Sequence, residues 1–121
     1  MKIVSIYRTD PKNFENGPAP DMHEKMGKLI EKFIASGELV DTGGVVPAGM
    51  LKRVRLNANG SFSQTDGPFT ETKELVGGYA LFDVVSHERA IELTKEFLSV
   101  TGHGECELIE VTSVADEAVH R

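Results

Sequence analysis

The sequence predicts an α+β fold in which strands and helices follow the order β-α-β-β-α-β, with an additional β-hairpin in the middle. Two segments carry apolar residues at helical spacing, and the segments around them alternate or are rich in β-forming residues. Glycine-, proline- and asparagine-containing stretches separate these segments. With 121 residues, of which 40% are hydrophobic, the chain is expected to form a single domain over residues 1–121.

One strand and one amphipathic helix are predicted at the N-terminal end. Residues 2–8 alternate between two faces, which is typical of a strand, and the proline-containing segment 9–20 is predicted to be a loop. Asp21, with Glu24 three residues later, has the spacing of a capping box, and Gly37 is placed to end the helix. The apolar stripe of this helix is predicted to comprise Met22, Met26, Leu29, Ile30, Phe33 and Ile34.

A strand and a β-hairpin are predicted in the middle of the chain. Residues 38–46 are strand-like, and a glycine pair within them indicates a bulge or a close approach of a ligand or another backbone. Residues 51–56 alternate, a turn rich in asparagine and glycine follows, and residues 62–65 return as the second strand. Residues 66–69 have the composition of another tight turn.

A strand, a helix and a last strand are predicted in the C-terminal part. Residues 75–85 form the strand, Ser86 is a favourable N-cap residue, and Gly102 stands where a glycine commonly follows a helix. Residues 105–113 form the last strand, and residues 114–121 are expected to be a flexible tail. The apolar face of this helix is predicted to comprise Ala90, Ile91, Thr94, Phe97, Leu98 and Thr101.

This order of elements is that of a ferredoxin-like fold, in which two helices cover one face of an antiparallel sheet. Tyr7, Tyr79 and Leu81 indicate that the opposite face of the sheet is also partly apolar. A small chain can bury such a face against a second copy of itself, so the sequence predicts a homodimer.

Composition and charge narrow the possible partners. Thirteen Lys and Arg against 19 Asp and Glu give a net charge of −6, which argues against nucleic acid or an anionic membrane surface. Cys106 is the single cysteine, so no intrachain disulfide can form, and a reducing, cytoplasmic location is expected. No signal peptide or membrane span is expected, because no apolar segment is long enough.

Neither a metal nor a cofactor site is expected from the sequence. His23, His87, His103 and His120 are scattered along the chain. The spacing of His103 and Cys106 is weak for a metal site, because consecutive strand residues point to opposite faces. The glycine pairs lack the strand–loop–helix context of a phosphate-binding loop.

A longer motif carries a family resemblance. The segment from Asp66 to Tyr79, DGPFTETKELVGGY, resembles the signature of the YCII-related proteins, in their branch named for the Asp-Gly-Pro-Phe motif. Through this family the chain is similar to the dimeric α+β barrel superfamily, and the resemblance reaches to about residue 113. Shorter pieces that agree with it lie at Tyr7 and at residues 26–28, 37–40, 54–55 and 83–84.

The resemblance also implies a class of chemistry. More distant YCII-related members are proposed or known to use a His/Asp pair for acid–base chemistry on small organic molecules. Many members of the Asp-Gly-Pro-Phe branch carry a helix histidine where this chain has Met26, and here His23 lies nearly one turn earlier. Members of the branch are also encoded beside, or fused to, alternative sigma factors.

Asp66 and His23 are therefore the candidate catalytic residues. A carboxylate beside a turn can act as a general base where it is partly desolvated, or it can accept the backbone N–H groups of its own turn. His23 suits acid–base work if it is buried, and beside Glu24 it is otherwise a surface residue. Both alternatives stay open for each residue.

Six further residues are candidates for ligand binding. Arg55 and Lys73 would hold an anionic group, and the alternative for Arg55 is an exposed hairpin position. Glu71 is either a pocket group or part of a solvated edge. The pocket walls would be Phe69, Tyr7 and Tyr79, where the two tyrosines are alternatively core residues near the dimer contact.

The sequence thus leaves three functional hypotheses. In the first, the protein binds a small anionic organic molecule and, as an enzyme, acts as a cofactor-independent isomerase or lyase. In the second, it is a non-catalytic ligand sensor or an accessory protein linked to sigma-factor regulation. In the third, the Asp-Gly-Pro-Phe block is architectural and locks the hairpin to the neighbouring strand.

Overall fold

The computed structural model describes residues 1–14, 20–45, 52–66 and 75–112, and its elements follow the predicted order. The predicted tail, 114–121, lies outside these residues. A single turn of 3-10 helix, Pro11–Phe14, occurs within the predicted first loop. The strands and α-helices are β1 (Lys2–Thr9), α1 (Met22–Ala35), β2 (Leu39–Gly44), β3 (Lys52–Leu56), β4 (Phe62–Asp66), β5 (Leu75–Asp83), α2 (His87–Thr101) and β6 (Glu105–Val111).

Four of the strands form one antiparallel sheet in the order β2-β5-β1-β6, and β3 and β4 form a separate two-stranded sheet. Both helices contribute to one hydrophobic core against the four-stranded sheet. The fold is therefore the predicted ferredoxin-like α+β fold with an inserted β-hairpin. Among the described residues, no helix is both long enough and apolar enough to cross a membrane.

The alternation of β1 decides which sheet face the helices cover. Ile3, Ser5, Tyr7 and Thr9 are buried, while the residues between them are partly exposed. Side chains on alternate strand positions share a face, so this set forms the floor beneath the helices. Ile3 is paired with Phe82 on β5, which places both in the core. The buried core comprises Ile3, Phe33, Leu39, Phe82, Val84, Ala90 and Leu93.

The predicted apolar stripes differ from the buried faces of the helices at their edges. Ile34 and Ile91 are 58% and 44% exposed, whereas Leu93 is fully buried. Successive helical residues are about 100° apart around the axis, so Ile34 lies well to one side of the buried Phe33. The same rotation separates Ile91 from Ala90, while Leu93 falls on the opposite flank of the buried arc.

The helix ends agree with the sequence in three of four cases. Ser86 accepts a hydrogen bond from the backbone N–H of Arg89, and Gly37 and Gly102 adopt left-handed conformations after the helices. The capping box predicted at Asp21 is wrong, because its side chain makes no capping bond. Its carboxylate instead pairs with Lys25 at 2.8 Å, one turn along the helix.

The sheet face turned away from the helices, called the outer face below, has an apolar centre. Val4 is paired with Leu81 on one side and with Ile109 on the other, and Ile6 lies two residues along on the same face. Ile109 is 48% exposed, and the other three are partly exposed. An apolar row therefore crosses three strands on a face that the helices leave uncovered.

Leu93→Ala tests whether α2 is anchored where the structure places it. We expect a loss of about 2–5 kcal/mol in the free energy of unfolding, because a fully buried leucine leaves a cavity. Ile91→Ala on the same helix should cost less than about 1 kcal/mol, since that side chain is half exposed. Urea titrations of both variants measure the difference, and equal losses would contradict this rotation of the helix.

Candidate functional site

A pocket of about 480 Å³ lies between the four-stranded sheet and the two helices. We call it the sheet–helix pocket. Its volume lies within the range of about 300–1,000 Å³ that is typical of small-molecule sites. The described residues that line it are all uncharged. A ligand in this space would therefore be held mainly by apolar contact, with few polar groups available for orientation.

Helix α1 supplies the most apolar wall. Five residues of the predicted stripe face the pocket, and two of them are methionines, whose flexible side chains adapt to ligands of different shapes. This wall consists of Met22, Met26, Leu29, Ile30 and Phe33.

Glycines on β2 and β5 form the opposite boundary, where the two strands pair closely. Gly44 is paired with Gly78, and a Cβ atom on Gly78 would lie 2.7 Å from the carbonyl oxygen of Gly43. Gly77 stands at an irregularity in the pairing of β5 with β1. The glycine pairs therefore allow the backbones of β2 and β5 to approach closely, which is one of the two roles that the sequence indicated for the pair on β2. They also leave this end of the pocket without bulky side chains.

Tyr7 lies on the floor of the pocket and is fixed by a polar network. Its hydroxyl donates to the backbone carbonyl of His103 at 2.9 Å and lies 3.0 Å from Nδ1 of the same residue. The hydroxyl of Thr9 lies 2.8 Å from that Nδ1 and accepts a hydrogen bond from Asn13 at 3.1 Å. Thr101 donates to the same His103 carbonyl. The network ties β1 to the end of α2.

The Tyr7 ring is also enclosed on three sides. Phe97 of α2 packs edge-on against it with ring centres 5.0 Å apart. A Cβ atom on Gly77 would lie 2.9 Å from the ring, and one on Gly104 would overlap it. Glycines on both neighbouring segments therefore make room for this ring.

Most of the other site residues predicted from the sequence do not meet at this pocket. Asp66 and Arg55 are exposed on the β3–β4 hairpin, where Asp66 forms an ion pair with Lys52 at 3.1 Å. His23 is exposed on α1 and is not part of the pocket lining. Their catalytic and binding roles stay predictions. The remaining candidates Phe69, Glu71 and Lys73 lie outside the described residues.

Of the two predicted tyrosines, Tyr7 has its side chain in the pocket, on the face beneath the helices and not on the opposite face as the sequence indicated. Tyr79 borders the pocket through β5, but its side chain shares the outer face with its cross-strand partner Ile6. Tyr7 is 8% exposed, whereas Tyr79 is 42% exposed and donates a hydrogen bond from its hydroxyl to Asp41 at 3.3 Å. The Asp41 carboxylate raises the pKa of Tyr79, since a nearby negative charge disfavours the phenolate. Tyr79 is therefore held as a neutral hydrogen-bond donor.

None of the four residues bonded in the Tyr7 network, Thr9, Asn13, Thr101 and His103, was identified as a site residue from the sequence. Thr9 follows Tyr7 on the same face of β1, so alternation alone could have placed it beside the tyrosine. His103 had no such signal, because it is 96 residues away from Tyr7 in the chain. No cluster of three His, Cys, Asp or Glu side chains suited to a metal ion occurs in the parts of the chain that the structure describes.

Gly104→Ala tests the enclosure of Tyr7. The new Cβ would lie 2.8 Å from the Arg8 carbonyl oxygen and overlap the Tyr7 ring, at a residue with φ of +97°. We expect a loss of about 3 kcal/mol or more in unfolding free energy. Gly60→Ala is the matched control, since φ is +87° but no atom lies within 4 Å, and it should cost only about 1 kcal/mol. Equal costs, measured by urea unfolding, would show that Gly104 is needed only for its backbone angle.

Comparison with solved structures finds a similar fold in 5-chloro-2-hydroxyhydroquinone dehydrochlorinase (TftG) from Burkholderia phenoliruptrix AC1100, in complex with 2,5-dihydroxybenzoquinone. The TM-score is 0.53 at 9% sequence identity, and the match covers 96% of this chain and 98% of that chain. At 9% identity this similarity shows a shared fold and does not by itself show a shared function. Comparison with curated proteins yields no match.

A family profile identifies the chain more directly than any single relative. The profile of the YCII-related domain matches residues 1–114, which is nearly the whole sequence. This extent agrees with the ferredoxin-like architecture and with the resemblance carried by the segment from Asp66 to Tyr79. The chain belongs to the YCII-related family.

Proposed function

We propose that this protein binds a small organic molecule with a mainly apolar body in the sheet–helix pocket. The observation that carries the proposal is a pocket of about 480 Å³ whose described lining is uncharged and largely apolar. The structural relative was captured with 2,5-dihydroxybenzoquinone, a single-ring compound, which supports a ligand of about that size here. Ser5 and Tyr7, on the pocket side of β1, are polar side chains placed to orient it.

The sequence favoured an anionic ligand, and we keep an anionic group in the proposal only at the edge of the ligand. Because no charged side chain is among the described lining residues, an anionic substituent would be held at the margin of the pocket. Arg55 and Lys73 stay the sequence-based candidates for that role, and Arg55 is exposed on the hairpin outside the described lining. We also propose that the chain belongs to the Asp-Gly-Pro-Phe branch of the family.

Acid–base chemistry of isomerase or lyase type is the catalytic form of this proposal. Asp66 and His23 are its sequence-based candidates, and the fixed Tyr7 hydroxyl is the group that the structure adds. This hydroxyl has one proton, which it donates to the His103 carbonyl, so proton transfer to a bound ring oxygen would require the hydroxyl to exchange that bond for one to the ligand.

A non-catalytic ligand sensor is the second candidate. The described lining residues include no Asp, Glu, His, Lys or Arg, the side chains that most often carry out acid–base catalysis near neutral pH. A pocket of this kind binds without needing to turn its ligand over. Chromatography of a bound compound after incubation with the protein distinguishes the two candidates. An enzyme converts the compound to a product, whereas a sensor leaves it unchanged.

We also propose that the protein is a homodimer joined through the outer face of the sheet. The support is the apolar row Ile109–Val4–Leu81 together with Ile6, which the helices do not cover. The ion pair between Arg8 and Glu107, 2.9 Å long, borders this row. An apolar centre with a charged border is the usual composition of a protein interface.

Met26→Trp tests ligand binding in the pocket. The larger side chain would fill space beside α1, so binding of 2,5-dihydroxybenzoquinone and of simple phenols should weaken at least tenfold in isothermal titration calorimetry. Ile34→Trp is the matched control on the same helix, because its side chain is exposed and outside the pocket. Binding that is unchanged in Met26→Trp, or lost equally in both variants, would place the ligand elsewhere.

Ile6→Lys tests the proposed dimer. A lysine in the middle of the outer face would have to lose its hydration on association, so the dimer should weaken at least tenfold in sedimentation equilibrium. Val85→Lys is the control, because Val85 lies between β5 and α2 and is 89% exposed. A dimer that persists unchanged in Ile6→Lys, or a wild-type monomer at all concentrations, would contradict this interface.

A further inference from the structure

The polar side chains on the described lining of the sheet–helix pocket are hydroxyls. Tyr79 turns to the outer face, and the others belong to Ser5, Tyr7, Thr42, Thr94 and Thr101. A hydroxyl has one hydrogen to donate, and its oxygen can also accept. Where the hydrogen is already bonded within the protein, the group accepts from a ligand without losing a bond, whereas donating to the ligand would break one. The partners of these hydroxyls therefore decide which ligands suit the pocket.

Three of the hydroxyls are bonded to groups of the protein that lie along the pocket walls. Thr42 donates to a backbone carbonyl of β5 and Thr94 to a carbonyl one turn earlier in α2, both at 2.8 Å. The hydroxyl of Ser5 is hydrogen-bonded to the thiol of Cys106 on β6. None of these three groups is placed to donate to a ligand without giving up its present partner.

The hydroxyls of Tyr7 and Thr101 converge at one end of the pocket, and we call them the acceptor pair. Both donate to the backbone carbonyl of His103, each at 2.9 Å, so their oxygens lie close to each other. The Thr101 hydroxyl also points to the Leu98 carbonyl at 3.2 Å. Its hydrogen is therefore used twice, and its oxygen keeps lone pairs that can accept.

Ligand groups at the acceptor pair are removed from water. Tyr7 is only 8% exposed, and Phe97 packs edge-on against its ring. An O–H or N–H group of a ligand finds an acceptor there. An ether, carbonyl or carboxylate oxygen would lose its water without gaining a side-chain donor, unless a bond to the His103 carbonyl were broken.

We infer that the pocket selects uncharged ring compounds that carry a hydrogen-bond donor, such as a phenol or an aromatic amine, and that the donor bonds to the acceptor pair. The inference rests on the proposed function, because it names the class of ligand for the same pocket. Thr101 and Tyr7 are then the residues that determine this specificity. Ring compounds of similar size whose polar groups only accept are disfavoured.

Matched ligands test this selection in the unaltered protein. Phenol and aniline each donate a hydrogen bond, whereas anisole only accepts one, although its methyl group adds apolar surface. We expect phenol and aniline to bind about fivefold more tightly than anisole in isothermal titration calorimetry. Anisole that binds as tightly as phenol would overturn the inference and leave the apolar pocket in place. If none of the three compounds bound, the proposed function itself would be wrong.

Thr101→Val and Tyr7→Phe test the assignment of the acceptor pair. Each substitution removes a hydroxyl and keeps a side chain of similar shape, so the preference for phenol over anisole should fall at least about threefold. Thr42→Val is the matched control, because its hydroxyl is also bonded to a carbonyl but lies on β2, which β5 separates from β1. The preference should be unchanged in this variant.

The ratio of the two affinities separates specificity from a structural role. A variant that only loosens the pocket weakens phenol and anisole alike, so an unchanged ratio in both Thr101→Val and Tyr7→Phe would contradict the assignment. An equal fall in Thr42→Val would place the donor at the opposite end of the pocket. Circular dichroism confirms that each variant is folded, and either folded variant of the acceptor pair is sufficient for the test.

Discussion

The Tyr7 ring occupies space that two glycines leave open, and the arrangement of the site depends on this. Gly77 lies on one side of the ring and Gly104 on the other, so strand β1 can carry a large aromatic residue where its neighbours carry no side chain. Phe97 closes the ring from α2. The hydroxyl then reaches His103 just beyond that helix. One side chain thus joins β1, α2 and the segment before β6 at the floor of the pocket.

The absence of side chains at glycine positions in the sheet also accounts for the pocket itself. The helices and the sheet fill the core around Phe82, Leu93 and Phe33, whose side chains are almost completely buried. Toward the glycine pairs on β2 and β5, the sheet contributes backbone and little else. The apolar stripe of α1 therefore faces space instead of a complementary surface, and its two methionines border that space.

The sequence was sufficient for the fold because the signals that specify it are local. Alternation in β1, the serine and glycine at the ends of α2, and the asparagine–glycine turn of the hairpin each report on a few neighbouring residues. Where a competing local interaction exists, as between Asp21 and Lys25, the prediction of the cap was wrong. The amphipathic pattern of α2 predicted its buried face with an error at the edges. Ile91 was predicted to be buried and is half exposed, whereas Leu93 was not included and is fully buried.

The site was less predictable because it depends on contacts between distant parts of the chain. Tyr7 could be proposed as a pocket wall, but its partner His103 is joined to it across 96 residues by the fold alone. Asp66 stands in a conspicuous turn motif, yet the motif does not specify where the hairpin lies relative to the pocket. In the structure that residue pairs with Lys52 on the hairpin.

The central claim, an apolar sheet–helix pocket that admits a small ring compound, is tested most directly by NMR of the methionine methyl groups. With ¹³C-methyl methionine and a simple phenol as the probe, the signals of Met22 and Met26 should shift and show NOEs to the phenol ring, because both residues line the pocket. Met1, at the exposed chain terminus, should do neither. Unchanged Met22 and Met26 signals at millimolar phenol would contradict the account, as would effects of equal size at Met1.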